Sequence, residues 1–558
     1  MNSISFLMDK KITSKDITES KMNYHLSLRK RAYNKILNNR RKIFSEINSL
    51  KENSEFLSNN NLFQILANHQ ILETINKLMN ENSLLNNNLT EIFQCLFSLD
   101  FHINQDSVNS IDFIEENKIY IFLITLLERI FYSSSEKVEY NSDSDIQLIN
   151  KILQIFFKYS SYKGSNNQMI NYIINNNKIN VFNQIIICLN NNKNHQYKFK
   201  INSNKRTLLM LYIIIILYNL SIESNDFYNI IISNKIHNKI IEIINNKRNN
   251  IDINDNNMIY ILYFFSLNIL DENVKNLDEN YILNIFELLN ENGILSNNEN
   301  VQELSLQCLC QITSLYESEK LYKKIVYSGI FDNIYQFLKS SKSLYLVTVS
   351  LKIINNVLTE KNIDLNCFIK SNLLRGLMSL IIHYDNNKQN ITPDLLHHII
   401  SIFLYLTKSP VFYSIVNDNL NFIVILIELI GQISNSVTHD ILTFLKDIIN
   451  ESFKISQLII FNNKELINKL ILLIKNDCHN HKIRTISAII LAKILKIHQN
   501  RNNKNEDNQY NFNIKDYYYQ IKEIIEINLL NEHDINDNLK ATFKIILEIL
   551  KENEKMNI

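Results

Sequence analysis

The segment LYKKIVYSGIFDNIYQFLKS at 321–340 runs into SLYLVTVSLKIINNVLTE at 343–360, and the same plan returns in CFIKSNLLRGLMSLII at 367–382 with DLLHHIISIFLYLTKS at 394–409. Each copy reads as a short apolar helix, a corner of small or amide residues, a second apolar helix, a polar loop and a longer third helix. Apolar residues recur every three or four positions throughout, the period of a helix with one buried face. Such a unit cannot bury that face alone. The pattern therefore restricts the chain to folds in which successive units stack.

The corner sets the phase. Gly329 in one copy becomes Asn372 in the next, and these residue types best tolerate the left-handed backbone that ends a helix. Equivalent corners are expected near Asn68, Asn117, Asn176, Asn234, Asn280, Asn419 and Asn463, with spacings of 43 to 59 residues. The shorter spacings fit a three-helix repeat of about 40–47 residues; Asn-rich insertions such as NNKNH and NNKRNN lengthen the others. The reading is an all-α stack of about nine or ten units over 60–552, with a weaker last unit at 513–552, a basic segment at 1–59 and a polar tail at 553–558. Thr392–Pro393 and Ser409–Pro410 each look like an N-cap followed by proline at the first helical position, so the two prolines start helices and break none.

Composition narrows the choice further. Gly 5 and Pro 2 in 558 residues fall far below the roughly 7% and 5% of ordinary proteins. Sheet turns and phosphate-binding loops both need glycine, so helix after helix remains. The cysteines Cys95, Cys188, Cys308, Cys310, Cys367 and Cys478 are too sparse for a disulfide framework and imply a reducing compartment. The N-terminal apolar run is too short for a signal peptide. The longest apolar stretch, LLMLYIIIILYNL at 208–220, is shorter than the roughly 20 residues that span a bilayer. It reads as a helix buried on all sides, and no membrane partner is expected.

Chemistry is hard to find. There is no HExxH, no CxxC pair and no phosphate loop. Cys478, His479 and His481 lie close together but lack zinc-site spacing and a fourth ligand. His397 and His398 sit side by side within a repeat helix, where one is expected to face its neighbour and the other solvent, and neighbouring residues do not form a catalytic pair on a helix. Cys308 and Cys310 diverge likewise and read as core. No catalytic residue, metal or cofactor is expected.

One segment stands apart from a chain of formal net charge +1. Residues 28–42, LRKRAYNKILNNRRK, hold seven arginines and lysines and no acid. The stretch 24–44 can form a helix offering Leu26, Tyr33, Leu37 and Phe44 as apolar anchors and a row of cations to an acidic partner. Near-zero global charge gives no reason to expect a nucleic-acid surface over the whole chain.

The three-helix unit resembles the armadillo repeat over roughly 60–552, most closely at 301–500. A basic segment followed by such repeats is similar to the importin alpha family of nuclear import adaptors. Leu28, Arg29 and Lys30, then Leu37, then Arg40 and Arg41 match at the same spacing the family's motif for binding importin beta. The resemblance implies an armadillo-like right-handed superhelical solenoid. It also implies a groove along the third helices, in which tryptophans stack on cargo lysines and asparagines one turn later hold the cargo backbone. This chain has Trp 0. Asn219, Asn268 and Asn356 stand at the asparagine positions, and Phe264 is the one aromatic residue at a tryptophan position. Ile215 and Lys352 occupy the other two, and Gln311, Tyr405, Asp447 and Lys493 replace the later asparagines. Lys352 would repel a basic ligand. The expected function is an adaptor that binds importin beta through its N-terminal helix and protein cargo through its groove, moving between cytoplasm and nucleus. The alternative is an armadillo scaffold for protein–protein interaction without a transport role.

Overall fold

A computed structural model describes residues 66–80, 89–105, 107–132, 143–161, 167–190, 201–246, 251, 253–269, 277–316, 318–340, 343–359, 364–384, 392–451, 464–475, 480–502, 517–530 and 537–556. All the regular structure among them is helical. The chain divides into two compact units, residues 1–288 with 297–304 and residues 289–296 with 305–558.

The first unit opens with α1 (Asn68–Asn80) and α2 (Leu89–Gln105). Three full layers follow. They are α3 (Ser107–Glu116), α4 (Ile119–Tyr132) and α5 (Asp143–Ser160); α6 (Asn167–Asn175), α7 (Ile179–Leu189) and α8 (Ser203–Glu223); and α9 (Asn225–Ser233), α10 (Ile236–Asn245) and α11 (Asp255–Ile269). After α12 (Glu279–Leu288), the helix α13 (Glu299–Leu315) carries the chain into the second unit.

That unit continues with α14 (Glu319–Tyr327), α15 (Ile330–Ser340) and α16 (Leu344–Leu358), then α17 (Leu365–Lys370), α18 (Asn372–Tyr384) and α19 (Pro393–Leu406). The next layer is α20 (Pro410–Asp418), α21 (Asn421–Leu429) and α22 (Asn435–Glu451). The helix pairs α23 (Lys464–Lys475) with α24 (His481–Asn502), and α25 (Tyr518–Leu530) with α26 (Asp537–Met556), close the described chain.

Like helices stack on like. Second helices pack in series, α4 on α7 on α10 on α12 in one unit and α15 on α18 on α21 on α23 on α25 in the other. Third helices do the same, α2–α5–α8–α11 and α16–α19–α22–α24–α26, and so do the first helices α14–α17–α20. Each unit is thus a stacked-helix solenoid of armadillo-like plan.

The apolar faces meet between the ladders. In the second unit Phe403, Phe412, Phe422 and Phe444 are fully buried, and the Phe403 ring lies 5.4 Å from Phe422 and 5.7 Å from Phe444. In the first unit α8 buries every residue from Leu209 to Ser221. Its length and composition would suit a bilayer, but 83% of its most apolar window is inside the protein. It is the core helix that its all-round apolar sequence predicts.

The corners differ from expectation by one residue. Positive φ falls on Lys118 (52°), Asn177 (50°) and Lys235 (52°), directly after Asn117, Asn176 and Asn234, and on Gly329 (76°) as expected. The asparagines serve another purpose. Nδ2 of Asn117, Asn176 and Asn234 donates to the carbonyls of Phe113, Tyr172 and Ile230 at 2.8–2.9 Å, and their backbone N–H groups donate to the same oxygens. Asn419 Nδ2 likewise donates to the Ile415 carbonyl at 2.9 Å, while its backbone N–H goes to the Val416 carbonyl. Each of the three carbonyls at positions 113, 172 and 230 thus accepts twice, and the side-chain amide reinforces the last i→i−4 bond of a first helix. In the layer of Asn372, the corner is Ser371, an extended residue whose Oγ donates to the Phe368 carbonyl at 2.6 Å, and Asn372 begins the next helix. Thr392 is an N-cap, accepting from the Leu395 N–H at 3.3 Å, whereas Ser409 makes no side-chain cap. Asn463 lies outside the described residues.

Candidate functional site

Four third helices of the second unit, α16, α19, α22 and α24, each leave one stripe accessible. On α16 the stripe is Leu344, Thr348, Lys352, Asn355 and Asn356; on α19 it is Asp394, His397, His398, Ser401 and Tyr405. On α22 it is His439, Asp440, Thr443, Lys446 and Asp447, and on α24 it is Lys482, Thr485, Ile489, Lys493 and Lys496. Spacings of three and four place each set on one face. The opposite faces are core, as with Leu351, Ile354 and Val357 on α16. Because these helices stack in series, the stripes lie side by side.

Polar bonds tie neighbouring stripes together. Nδ2 of Asn355 donates to the carbonyl of His398 at 3.2 Å and lies 3.2 Å from its Nδ1. Burial, and then the nearby charges of Lys352 and His397, push the His398 pKa down to about 4, so its neutral ring can accept that amide proton at pH 7. His397 reaches the other way, with Nδ1 2.6 Å from Asp440 Oδ2, while His439 Nδ1 stands 3.6 Å from Asp440 Oδ1. Neither His397 nor His398 therefore points simply to solvent; both bridge layers, in opposite directions.

The residues singled out from sequence are distributed as follows. Asn356 Nδ2 turns back to the preceding third helix, donating to Thr313 Oγ1 at 3.2 Å and to the Cys310 carbonyl at 3.4 Å. Asn219 is buried and donates to Ser160 Oγ at 3.2 Å. Phe264 is 2% exposed and packs on Phe265 with ring centroids 5.4 Å apart. Asn268 belongs to α11, but its side chain lies outside the described residues, as do Leu28, Arg29, Lys30, Leu37, Arg40 and Arg41. Cys478 and His479 are outside them as well, and His481 is exposed.

One charged cluster escaped the sequence reading. Asp100 on α2 is buried between Lys151 and Lys158 of α5, with Lys151 Nζ 2.6 Å from Oδ2 and Lys158 bonded to Oδ1. Burial alone would raise the Asp100 pKa; the two ammonium groups together outweigh it and hold the carboxyl below its ordinary range. Lys151 also lies 4.2 Å from the centre of the Phe97 ring. The only sequence signal for this cluster, and for His397 with Asp440, is opposite polarity one layer apart on successive third helices.

Among the described residues, no group of three or more His, Cys, Asp or Glu side chains is placed to hold a metal ion. The cysteines Cys95, Cys188 and Cys308 are buried, and burial pushes their thiols up to about 12, so they are not thiolate nucleophiles at neutral pH. The stripes offer hydrogen bonds and charge to a ligand.

No protein-family profile and no curated protein matches the chain. Among solved structures, the designed armadillo repeat protein YIII(Dq)4CqI is 14% identical, covering 48% of this chain and 99% of its own, with a TM-score of 0.36. The designed armadillo repeat protein YIII(Dq.V1)4CPAF in complex with the peptide (KR)4 has the same identity, coverage and score. Another engineered protein is 15% identical over 50% of this chain and 100% of its own, with a TM-score of 0.35.

Proposed function

We propose that the protein is a non-catalytic, armadillo-like scaffold that holds an extended segment of another protein across the third-helix stripes of its second unit. The observation that carries this reading is the run of adjacent polar stripes on α16, α19, α22 and α24. An extended peptide needs regularly repeated hydrogen-bond partners along its length, and stacked layers supply them at a regular interval. The test is selection of a 12-residue peptide display library on the intact chain, followed by binding of the selected peptides to the variant T348A/S401A/T443A. Peptides that bind this variant as tightly as wild type would place the interaction elsewhere and sink the reading.

A second reading is an import adaptor resembling importin alpha. It is favoured by the spacing of Leu28, Arg29, Lys30, Leu37, Arg40 and Arg41, and it carries with it importin beta as partner and residence in cytoplasm and nucleus. Pulldown with importin beta tests it, comparing wild type with R29A/K30A/R40A/R41A. Equal recovery of the two rejects the adaptor.

A further inference from the structure

The charges on the four stripes are unequal. Lys352, Lys446, Lys482, Lys493 and Lys496 stand there, with Lys408 just past the end of α19 and its Nζ 4.7 Å from the centre of the Tyr405 ring, against Asp394, Asp440 and Asp447, among the described side chains. Asp440 holds His397 at 2.6 Å, and Asp447 and Lys446 offset each other, Nζ lying 3.4 Å from Oδ1. The lysines at 352, 408, 482 and 496 are exposed. The face a ligand would meet is therefore basic, although the chain as a whole is almost neutral.

Its geometry selects the ligand further. Packed helices stand roughly 8–10 Å apart, and an extended chain advances about 3.3 Å per residue, so one layer corresponds to about three ligand residues. Each of the four helices, α19 through Lys408 just past its last turn, brings at least one lysine to this face.

We infer that this face receives an acidic extended peptide with a carboxylate at about every third residue. The inference rests on the scaffold reading above and names the chemistry of its partner. A peptide fits better than a nucleic acid because aspartates interleaved with the lysines repel a uniform phosphate backbone, whereas carboxylates spaced along a peptide can fall at the lysines alone.

The test measures fluorescence anisotropy of labelled (Glu-Ser-Gly)4, (Lys-Ser-Gly)4 and a 12-nucleotide single strand against the full chain at about 50 mM salt. The glutamate peptide is expected to bind at least about tenfold more tightly than the lysine peptide. That affinity is expected to fall about tenfold by about 200 mM salt, as for contacts between exposed charges, and about tenfold in K352E/K446E/K496E, with the thermal melt checking that the variant is folded. Salt dependence in wild type gives the same answer if the variant does not fold. Tighter binding of the lysine peptide, or of the oligonucleotide, would overturn the acidic-peptide inference while leaving the scaffold reading to its own library test. Affinity for the glutamate peptide that survives both salt and the lysine substitutions would also overturn it, and so would failure of both peptides to bind.

Discussion

The ring of Tyr335 on α15 lies so close over Gly376 on α18 that a β-carbon on the glycine would sit 2.8 Å from both Cδ2 and Cε2. Two effects oppose each other when Gly376 becomes alanine. Helix propensity favours alanine by about 1 kcal/mol, while forcing the ring aside costs roughly 1–3 kcal/mol. Gly376→Ala is expected to lower stability by about 1 kcal/mol in wild type and to raise it in a Tyr335→Ala background. Urea denaturation of the four chains of this cycle measures the reversal; the same sign in both backgrounds would refute the contact.

Lys235 holds φ at 52° without being glycine. A left-handed residue with a β-carbon costs about 1–2 kcal/mol, and glycine would recover part of this after its larger loss of chain entropy. Lys235→Gly should stabilise by roughly 0.5–1 kcal/mol. Asn234→Ala removes the side-chain cap on the Ile230 carbonyl and should destabilise by about 1 kcal/mol. Opposite shifts in urea midpoint for two adjacent substitutions are the expected result.

Asp100 pairs with two lysines at once, one on each carboxylate oxygen. Asp100→Asn leaves both cations without their carboxylate and should cost about 3–5 kcal/mol, as when one partner of a buried pair is removed. Lys158→Met keeps the Lys151 pair at 2.6 Å and fills the buried site with apolar atoms, so its cost should stay within about 1 kcal/mol. Equal losses in the two variants would show that the carboxylate is not the hub of the cluster.

His237 on α10 is buried edge-on against Tyr281, with ring centroids 4.5 Å apart, and burial pushes its pKa down to about 4 from an ordinary 6.5. The unfolded chain binds the proton first as pH falls. Stability is therefore complete above about pH 6.5 and is lost as pH drops toward 4, by roughly 2–3 kcal/mol at pH 4.5. His398 shifts in the same direction, so the informative quantity is the difference between wild type and His237→Gln. The variant should lose less stability between pH 7.5 and 4.5; identical losses would show that His237 does not titrate on unfolding.

Helix order was legible because burial leaves a period in the chain. Leu209 to Ser221 announced a helix enclosed on every side, and Thr392 before Pro393 announced a helix start. The corner residue was read one position early at Asn117, Asn176 and Asn234 because asparagine has two capabilities, a tolerant backbone and a side-chain amide. Composition cannot say which one is used; here the amide caps a carbonyl and the following residue takes the left-handed turn. At the candidate site, Asn219 and Asn356 were recognisable by their helix positions. Their bonds to Ser160 and Thr313 were not, since those partners lie 59 and 43 residues earlier. Contacts at that separation depend on layer spacing, which Asn-rich insertions vary from one repeat to the next.

Lys158 reaches Asp100 across 58 residues of chain. During synthesis, the carboxylate therefore emerges from the ribosome well before the ammonium that completes its burial, and α2 must wait, with one charge unanswered, until α5 arrives.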